Sequence, residues 1–300
     1  MKCGDVLSAS AAFCENCGSP VGAGNRLLCH VDDEGAVNVG GLPSATSSVR
    51  EHVDTKVIGE VATSATHRGR RHRDNQDSVA IARFAYGVAL AVADGVSTSA
   101  RARDAADAAV QVALEVLGAS HSCDDEVMLA AASSAHEAIC RLPYEPDPDL
   151  AEPQATIVLA LVQGDQVRYA WVGDSRLYLV TDQDAIALTD DDSWLNEQVK
   201  SGVPLSTAMK DVNAHCITQC LGMRDASPEI HVGAAHVPEG SRLVLCSDGL
   251  WNYLDSADTL LTLMRSRGTV DTLEEQAVRL VDFANASGGQ DNVTVALYRA

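Results

Sequence analysis

Short uninterrupted apolar runs alternate along this chain with segments whose apolar residues recur at helical spacing. GVALAVA, Gly87 to Ala93, has no polar position, which predicts a strand buried on both faces and ending at Asp94. ARDAADAAVQVALEVLG, Ala102 to Gly118, combines high alanine content with the apolar period of a helix. A second helix is predicted from Asp124 to Arg141, stopped by Pro143 and the proline-rich YEPDPDLAEP. TIVLALV and QVRYAWV flank the turn Gln163-Gly164-Asp165-Gln166 and predict a hairpin, and SRLYLV predicts a strand after Gly173-Asp174. The last third predicts helices near Ser193 to Ser201, Ala257 to Arg267 and Thr272 to Ala286. It also predicts strands at Arg242 to Cys246 and Asn292 to Tyr298.

Hairpin-linked strands separated by helical pairs favour an α+β layered sandwich over a parallel α/β sheet. The elements begin near Lys56, so residues 56–300 are read as one body. Met1 to Pro20 is short, rich in cysteine and poor in core-forming residues, and reads as a separate module. Val21 to Thr55, rich in Gly, Ser, Val and acidic residues without periodicity, reads as a flexible linker.

Composition narrows the partners. At 46% hydrophobic and 21% charged residues, the chain has enough apolar material for one large core. Its 22 basic residues against 42 acidic ones leave a formal charge of -20, which repels phosphate backbones and argues against a nucleic-acid partner. The longest apolar stretch, Phe84 to Ala93, is too short to span a bilayer, so no membrane association is expected. Nine cysteines without a secretory signal favour reduced thiols and a cytoplasmic location.

Three of the predicted strand ends carry acidic signatures: VADG at Val92 to Gly95, CSDG at Cys246 to Gly249, and GGQDNVTV at Gly288 to Val295. They deliver Asp94, Asp248 and Asp291 to one edge of a sheet, where carboxylates can gather around hard divalent cations, and so predict a metal-dependent hydrolase. A lone Asp-Gly is most often a turn. The ordered series is more specific: HRDNQDS (His72 to Ser78), VADGVS (Val92 to Ser97), VGDSRLYLV (Val172 to Val180), LTDDDSW (Leu188 to Trp194), ITQCLG (Ile217 to Gly222), LCSDGLWNYL (Leu245 to Leu254) and GGQDNVTV.

This series resembles the bacterial branch of the type-2C metal-dependent Ser/Thr protein phosphatases, over about Val57 to Arg299. The resemblance implies a four-layer αββα sandwich with a dinuclear metal cleft, binding Mn2+ or Mg2+, at one end of the central β-sandwich. It implies that Asp94 bridges both metals while the Gly95 carbonyl binds one, that Asp248 and Asp291 complete the first metal's protein shell, and that Asp77 acts near the second. Asp174 matches the position that helps hold a weaker third metal. The implied reaction is hydrolysis of phosphoserine or phosphothreonine in phosphoproteins by a water bridging the metals, opposing a Ser/Thr protein kinase. Gly95 suits its place because a glycine lets the backbone approach a metal without a side-chain clash.

The chain also departs from that pattern. His72 stands where the family places the Arg that grips phosphate, and an imidazole offers no bidentate fork. His72 remains a candidate catalytic residue with Asp94 and Asp248, and His72 and Arg73 are the candidate phosphate-binding residues, with Arg68, Arg70 and Arg71 nearby. Gln76 replaces a Glu, Asp192 replaces a His, and DGVSTS replaces a glycine-rich continuation, leaving a metal-bound water, Ser97 or another donor to protonate the leaving group. Asn196 to His215 occupies the place of the family's variable flap, or is an ordinary connector. The departures at His72 and DGVSTS motivate a competing reading, a catalytically weak phospho-binding regulator on the same fold; a metal-dependent phosphatase of small metabolites is a further alternative.

At the N-terminus, Cys14-Glu15-Asn16-Cys17-Gly18 resembles the second knuckle of a zinc ribbon, and Cys3-Gly4 the end of a first. A closed structural zinc site takes four ligands, and only Cys3, Cys14 and Cys17 are in register. A residue upstream, Cys29 or His30 would complete a Zn2+ site, or the ribbon is degenerate.

Overall fold

The computed structural model describes residues 53–265 and 271–300, and Cys3, Cys14, Cys17, Cys29 and His30 lie outside them. In the first hairpin β1 (Asp54–Ile58) pairs antiparallel with β2 (Ala62–His67). The folded body therefore takes in Asp54 and Thr55, which the sequence assigns to the linker; nothing in their polar side chains announces a strand, which here is held by backbone pairing. β3 (Asp77–Phe84) and β4 (Gly87–Asp94) form the second hairpin, and β5 (Ile157–Gln163) and β6 (Gln166–Val172) the third. β7 (Arg176–Val180), β8 (Ala185–Ala187), β9 (His231–His236), β10 (Arg242–Cys246) and β11 (Val293–Arg299) complete the strands.

Every strand pairing is antiparallel. One sheet runs β1-β2-β11-β10-β7-β8 and the other β3-β4-β5-β6-β9. The period-two geometry of a strand explains how they stack. In β4, Val88, Leu90 and Val92 face the other sheet, where Leu243, Leu245 and Ala296 meet them. The intervening Ala89, Ala91 and Ala93 face outward and are covered by helices.

Those helices are α1 (Ala102–Ala119) and α2 (Asp125–Cys140). α1 presents Ala105, Ala109 and Ala113 to the alanine face of β4, so small residues on both sides let the layers approach closely. Asp124 caps α2 by accepting a hydrogen bond from the Val127 amide at 3.0 Å. On the other side, α6 (Ala257–Met264) and α7 (Leu273–Ser287) pack Leu260, Leu280 and Val281 against Val244, Val295 and Leu297. A capping box between Thr272 and Glu275 starts α7. The result is the four-layer αββα sandwich expected from the sequence.

Between β8 and β9 lie two short helices, α3 (Trp194–Lys200) and α4 (Leu205–Ala208), closed at their base by a bridge between Ser193 and Ile217. The predicted helix near Ser193 is α3, and Leu205 and Met209 on this segment are exposed. A further short helix, α5 (Asp248–Trp251), begins at the end of β10. Among the described residues no helix is long and apolar enough to cross a membrane.

Candidate active site

Antiparallel topology brings the acidic motifs to one end of both sheets. Asp77 opens β3, Asp94 closes β4, and the two are paired in the register of that hairpin. In the facing sheet, Cys246 at the end of β10 pairs with Arg176 at the start of β7 and with Val295 near the start of β11. Asp174 lies just before β7, Asp248 just after β10, and Asp291 just before β11, so all three emerge at the same edge. The structure therefore brings together Asp77, Asp94, Asp174, Asp248 and Asp291.

Burial and mutual repulsion define the electrostatics. Asp77, Asp174 and Asp248 are buried, while Asp94 and Asp291 keep part of their surface. Burial, and then the charges of Asp77, Asp248, Asp291 and Asp174, hold the Asp94 carboxyl well above the ordinary carboxylate range. Burial, followed by the charges of Asp291, Asp174 and Asp77, does the same to Asp248. Asp77 is pushed up to about 6, chiefly by burial. Asp174 reaches about 7, again through burial and then the charge of Asp191.

These carboxylates fit divalent cations. Asp77 Oδ1 and Asp248 Oδ1 are buried without a hydrogen-bond partner, although a buried acceptor left unpaired is costly. An oxygen-rich, negatively charged donor set suits Mn2+ or Mg2+. Among the described residues no three acidic, histidine or cysteine side chains are placed so that they could together hold a metal ion. The arrangement is an acidic cluster whose buried members are held above the ordinary carboxylate range, and cations bound there would replace protons.

Hydrogen bonds that sequence reasoning did not assign fix the cluster. Ser247 Oγ donates to Asp77 Oδ2 at 2.7 Å and accepts from the Thr294 amide at 3.1 Å. The buried Asn292 accepts from the Gln76 amide at 2.6 Å and donates to the carbonyls of Arg68 and Asp74 at 2.9 and 3.1 Å. It pins the loop ahead of Asp77 to the start of β11. Both residues lie inside the quoted signatures, as the Ser of CSDG and the Asn of GGQDNVTV, and that adjacency was the available signal. Gly95 is enclosed: its amide donates to the Gln76 carbonyl at 3.3 Å, and a Cβ there would overlap the carbonyl of Ala102.

The phosphate-side residues are more open. His72 Nε2 lies 3.4 Å from Asp291 Oδ1, which places His72 on the rim of the cluster, and Arg73 is exposed. Ser97 Oγ donates to Gln76 Oε1 at 2.9 Å, linking two of the positions that depart from the family pattern. Asp192 accepts from the Gly173 amide at 2.9 Å and pairs with His231 Nε2 at 2.8 Å. An imidazole thus joins this junction from β9, stacked on Trp171 with ring centroids 4.9 Å apart. Behind Asp174, Arg176 forms a two-point ion pair with Asp191 at 2.8 and 2.5 Å and lies 3.7 Å over the Trp251 ring.

A double antiparallel sandwich flanked by helices carries five carboxylates at one end. The family model described as Protein phosphatase 2C matches residues 65–283, and the chain belongs to that family. Asp77, Asp94, Asp174 and Asp248 lie within the match, and Asp291 lies just beyond it. The chain is 30% identical over 237 residues to the serine/threonine protein phosphatase PstP of Mycobacterium tuberculosis, covering 77% of this chain and 43% of that protein. It is 39% identical over 141 residues to a putative protein phosphatase 2C-type of Streptococcus pyogenes, covering 46% of this chain and 54% of that protein. The chain spans about half the length of these curated relatives. Its fold matches a serine/threonine phosphatase of S. agalactiae with a TM-score of 0.68 at 26% identity, over 83% of this chain and 100% of that one. The catalytic domain of PstP, solved with 2 manganese ions, matches with a TM-score of 0.62 at 26% identity, over 82% of this chain and 98% of that one.

Proposed function

We propose that this chain is a metal-dependent phosphatase of phosphoserine and phosphothreonine in proteins, acting against a Ser/Thr protein kinase in the cytoplasm. The observation that carries the reading is the five-carboxylate cluster, with its two buried oxygens lacking donors, in a chain of the protein phosphatase 2C family. Asp94, with the Gly95 carbonyl, would be shared between two Mn2+ or Mg2+ ions, Asp248 and Asp291 would complete one site, and Asp77 the other. Asp174 would contribute to a weaker third. When bound, such ions lower the pKa of water and neutralise charge on phosphoryl oxygens.

The remaining work falls to the chain's own side chains. His72 and the exposed Arg73 orient the phosphate at the rim, and His72 Nε2 exchanges its contact with Asp291 for one with the substrate. Asp94 and Asp248, whose carboxyls burial and neighbouring charges hold above the ordinary range, would lose protons as cations bind, so cation affinity would rise with pH. Ser97 Oγ is the candidate proton donor to the leaving alkoxide.

The Mn2+-dependent release of phosphate from a phosphothreonine peptide and from a small phosphoester at equal concentration tests the substrate class. Faster release from the peptide is expected. Faster release from the small ester would contradict the phosphoprotein reading.

A further inference from the structure

Arg103 is the second residue of α1, one residue beyond the Ala102 carbonyl that closes over Gly95. Its Nη1 donates to two backbone carbonyls, those of Asn75 at 3.1 Å and Asp77 at 2.7 Å. Its Nε is held from the other side by Asp107 Oδ2 at 2.8 Å, one helical turn further on. The second oxygen of Asp107 accepts from Ser78 Oγ at 2.6 Å. A single Arg–Asp unit on the helix thus grips residues 75, 77 and 78, on both sides of the Asp77 Cα.

The helix start that carries this unit is itself strained into place. Arg101, its N-cap, has φ 56°, the one positive φ at a non-glycine position among the described residues. Such a backbone costs on the order of 1 kcal/mol or more and persists where surrounding bonds over-determine it. Here Arg101 donates to Asp104 at 2.9 Å and to the Pro143 carbonyl at 2.7 Å. The first turn of α1 is therefore locked on the outside by Arg101 and on the site side by Arg103.

We propose that Arg103 is a positioning residue for cation binding: through Asp107 and Ser78 it sets the backbone from which Asp77 projects. The inference rests on the metal reading given above. Because Arg103 touches the Asp77 backbone and none of the other four carboxylates, its removal would weaken one class of cation and spare the other. Outer partners that orient a ligating group are worth roughly 10- to 100-fold in metal affinity.

Calorimetric titration of the full chain with MnCl2 tests this, with Arg103→Met, Arg103→Lys and Ser78→Ala beside the parent and the unfolding temperature of each metal-free protein measured in parallel. The expected result is one binding event weakened about 10-fold or more in Arg103→Met. The other event is unchanged, Arg103→Lys is intermediate, and Ser78→Ala shows a smaller loss at the same event. A purely structural residue would instead lower the unfolding temperature and weaken all events together, and that result would overturn the proposal. Unchanged binding in Arg103→Met and Ser78→Ala would also overturn it while leaving the metal reading intact. If Arg103→Met does not fold, Ser78→Ala decides between the same two outcomes. A parent chain that binds no Mn2+ would overturn both readings.

Discussion

Ser247 Oγ donates a 2.7 Å hydrogen bond to Asp77 Oδ2 and so joins the two sheets at the carboxylate cluster, because Asp77 opens β3 and Ser247 follows β10. The same hydroxyl accepts from the buried Thr294 amide. Replacing Ser247 by Ala removes a donor from Asp77 and leaves that amide unpaired. A loss of about 1–3 kcal/mol in urea unfolding of the metal-free chain is expected.

Stability of the metal-free protein depends on pH with a sign set by raised carboxyl pKa values. Asp77 rises from 3.8 to about 6 and Asp174 from 3.8 to about 7. Between those limits the folded chain holds protons that the unfolded chain has released. Their stabilising effect is fully present below pH 3.8 and is lost as pH rises through 6 and 7. Unfolding temperatures measured near pH 5 and pH 8 should fall toward the higher pH, and added Mn2+ should offset the fall at pH 8, where the carboxylates are free to bind it.

Arg176 and Asp191 form a largely buried ion pair behind Asp174. Removing one partner from such a pair leaves an uncompensated charge, at a cost of about 3–5 kcal/mol. Arg176→Met should lose stability on that scale by chemical denaturation. Arg176→Lys should recover only part of it, since an ammonium cannot reproduce the two-point contact or lie flat over Trp251.

At Gly249 a Cβ would overlap the carbonyl oxygen of Asn292, which is backbone and cannot swing aside. Gly249→Ala should therefore destabilise by about 3 kcal/mol or more, read as a lower unfolding temperature, and should displace Asp248 from Asp291. The Gly of this Asp-Gly pair is required by packing, in addition to any role in a turn.

The legible parts of this chain are those whose patterns are local. GVALAVA reads as a doubly buried strand because all its positions are apolar, and the hairpin of β5 and β6 is announced by its Gly-Asp turn. β2, ATSATH, escapes notice because it buries the hydroxyl residues Thr63 and Ser64, while the half-buried Thr66 Oγ1 bonds Thr294 Oγ1 at 2.6 Å and accepts from Asn75 at 2.8 Å. β9, HVGAAH, is a half-exposed edge strand with little apolar signal. In the site, the carboxylates stand out by their motifs, but the groups that hold them do not. Ser247 reaches Asp77, and Asn292 reaches Gln76, across most of the sequence, so no window along the chain contains both partners.

In the proposed function, the five carboxylates form a metal-dependent phosphoester-hydrolysing centre. Its most direct test is phosphate release from a phosphothreonine peptide with Mn2+, across pH 6 to 9, by the parent chain and by Asp94→Asn and Asp248→Asn. The expected result is release by the parent that chelation abolishes and that falls by about 100-fold or more in either variant. Release by the parent no greater than by the two variants would contradict it.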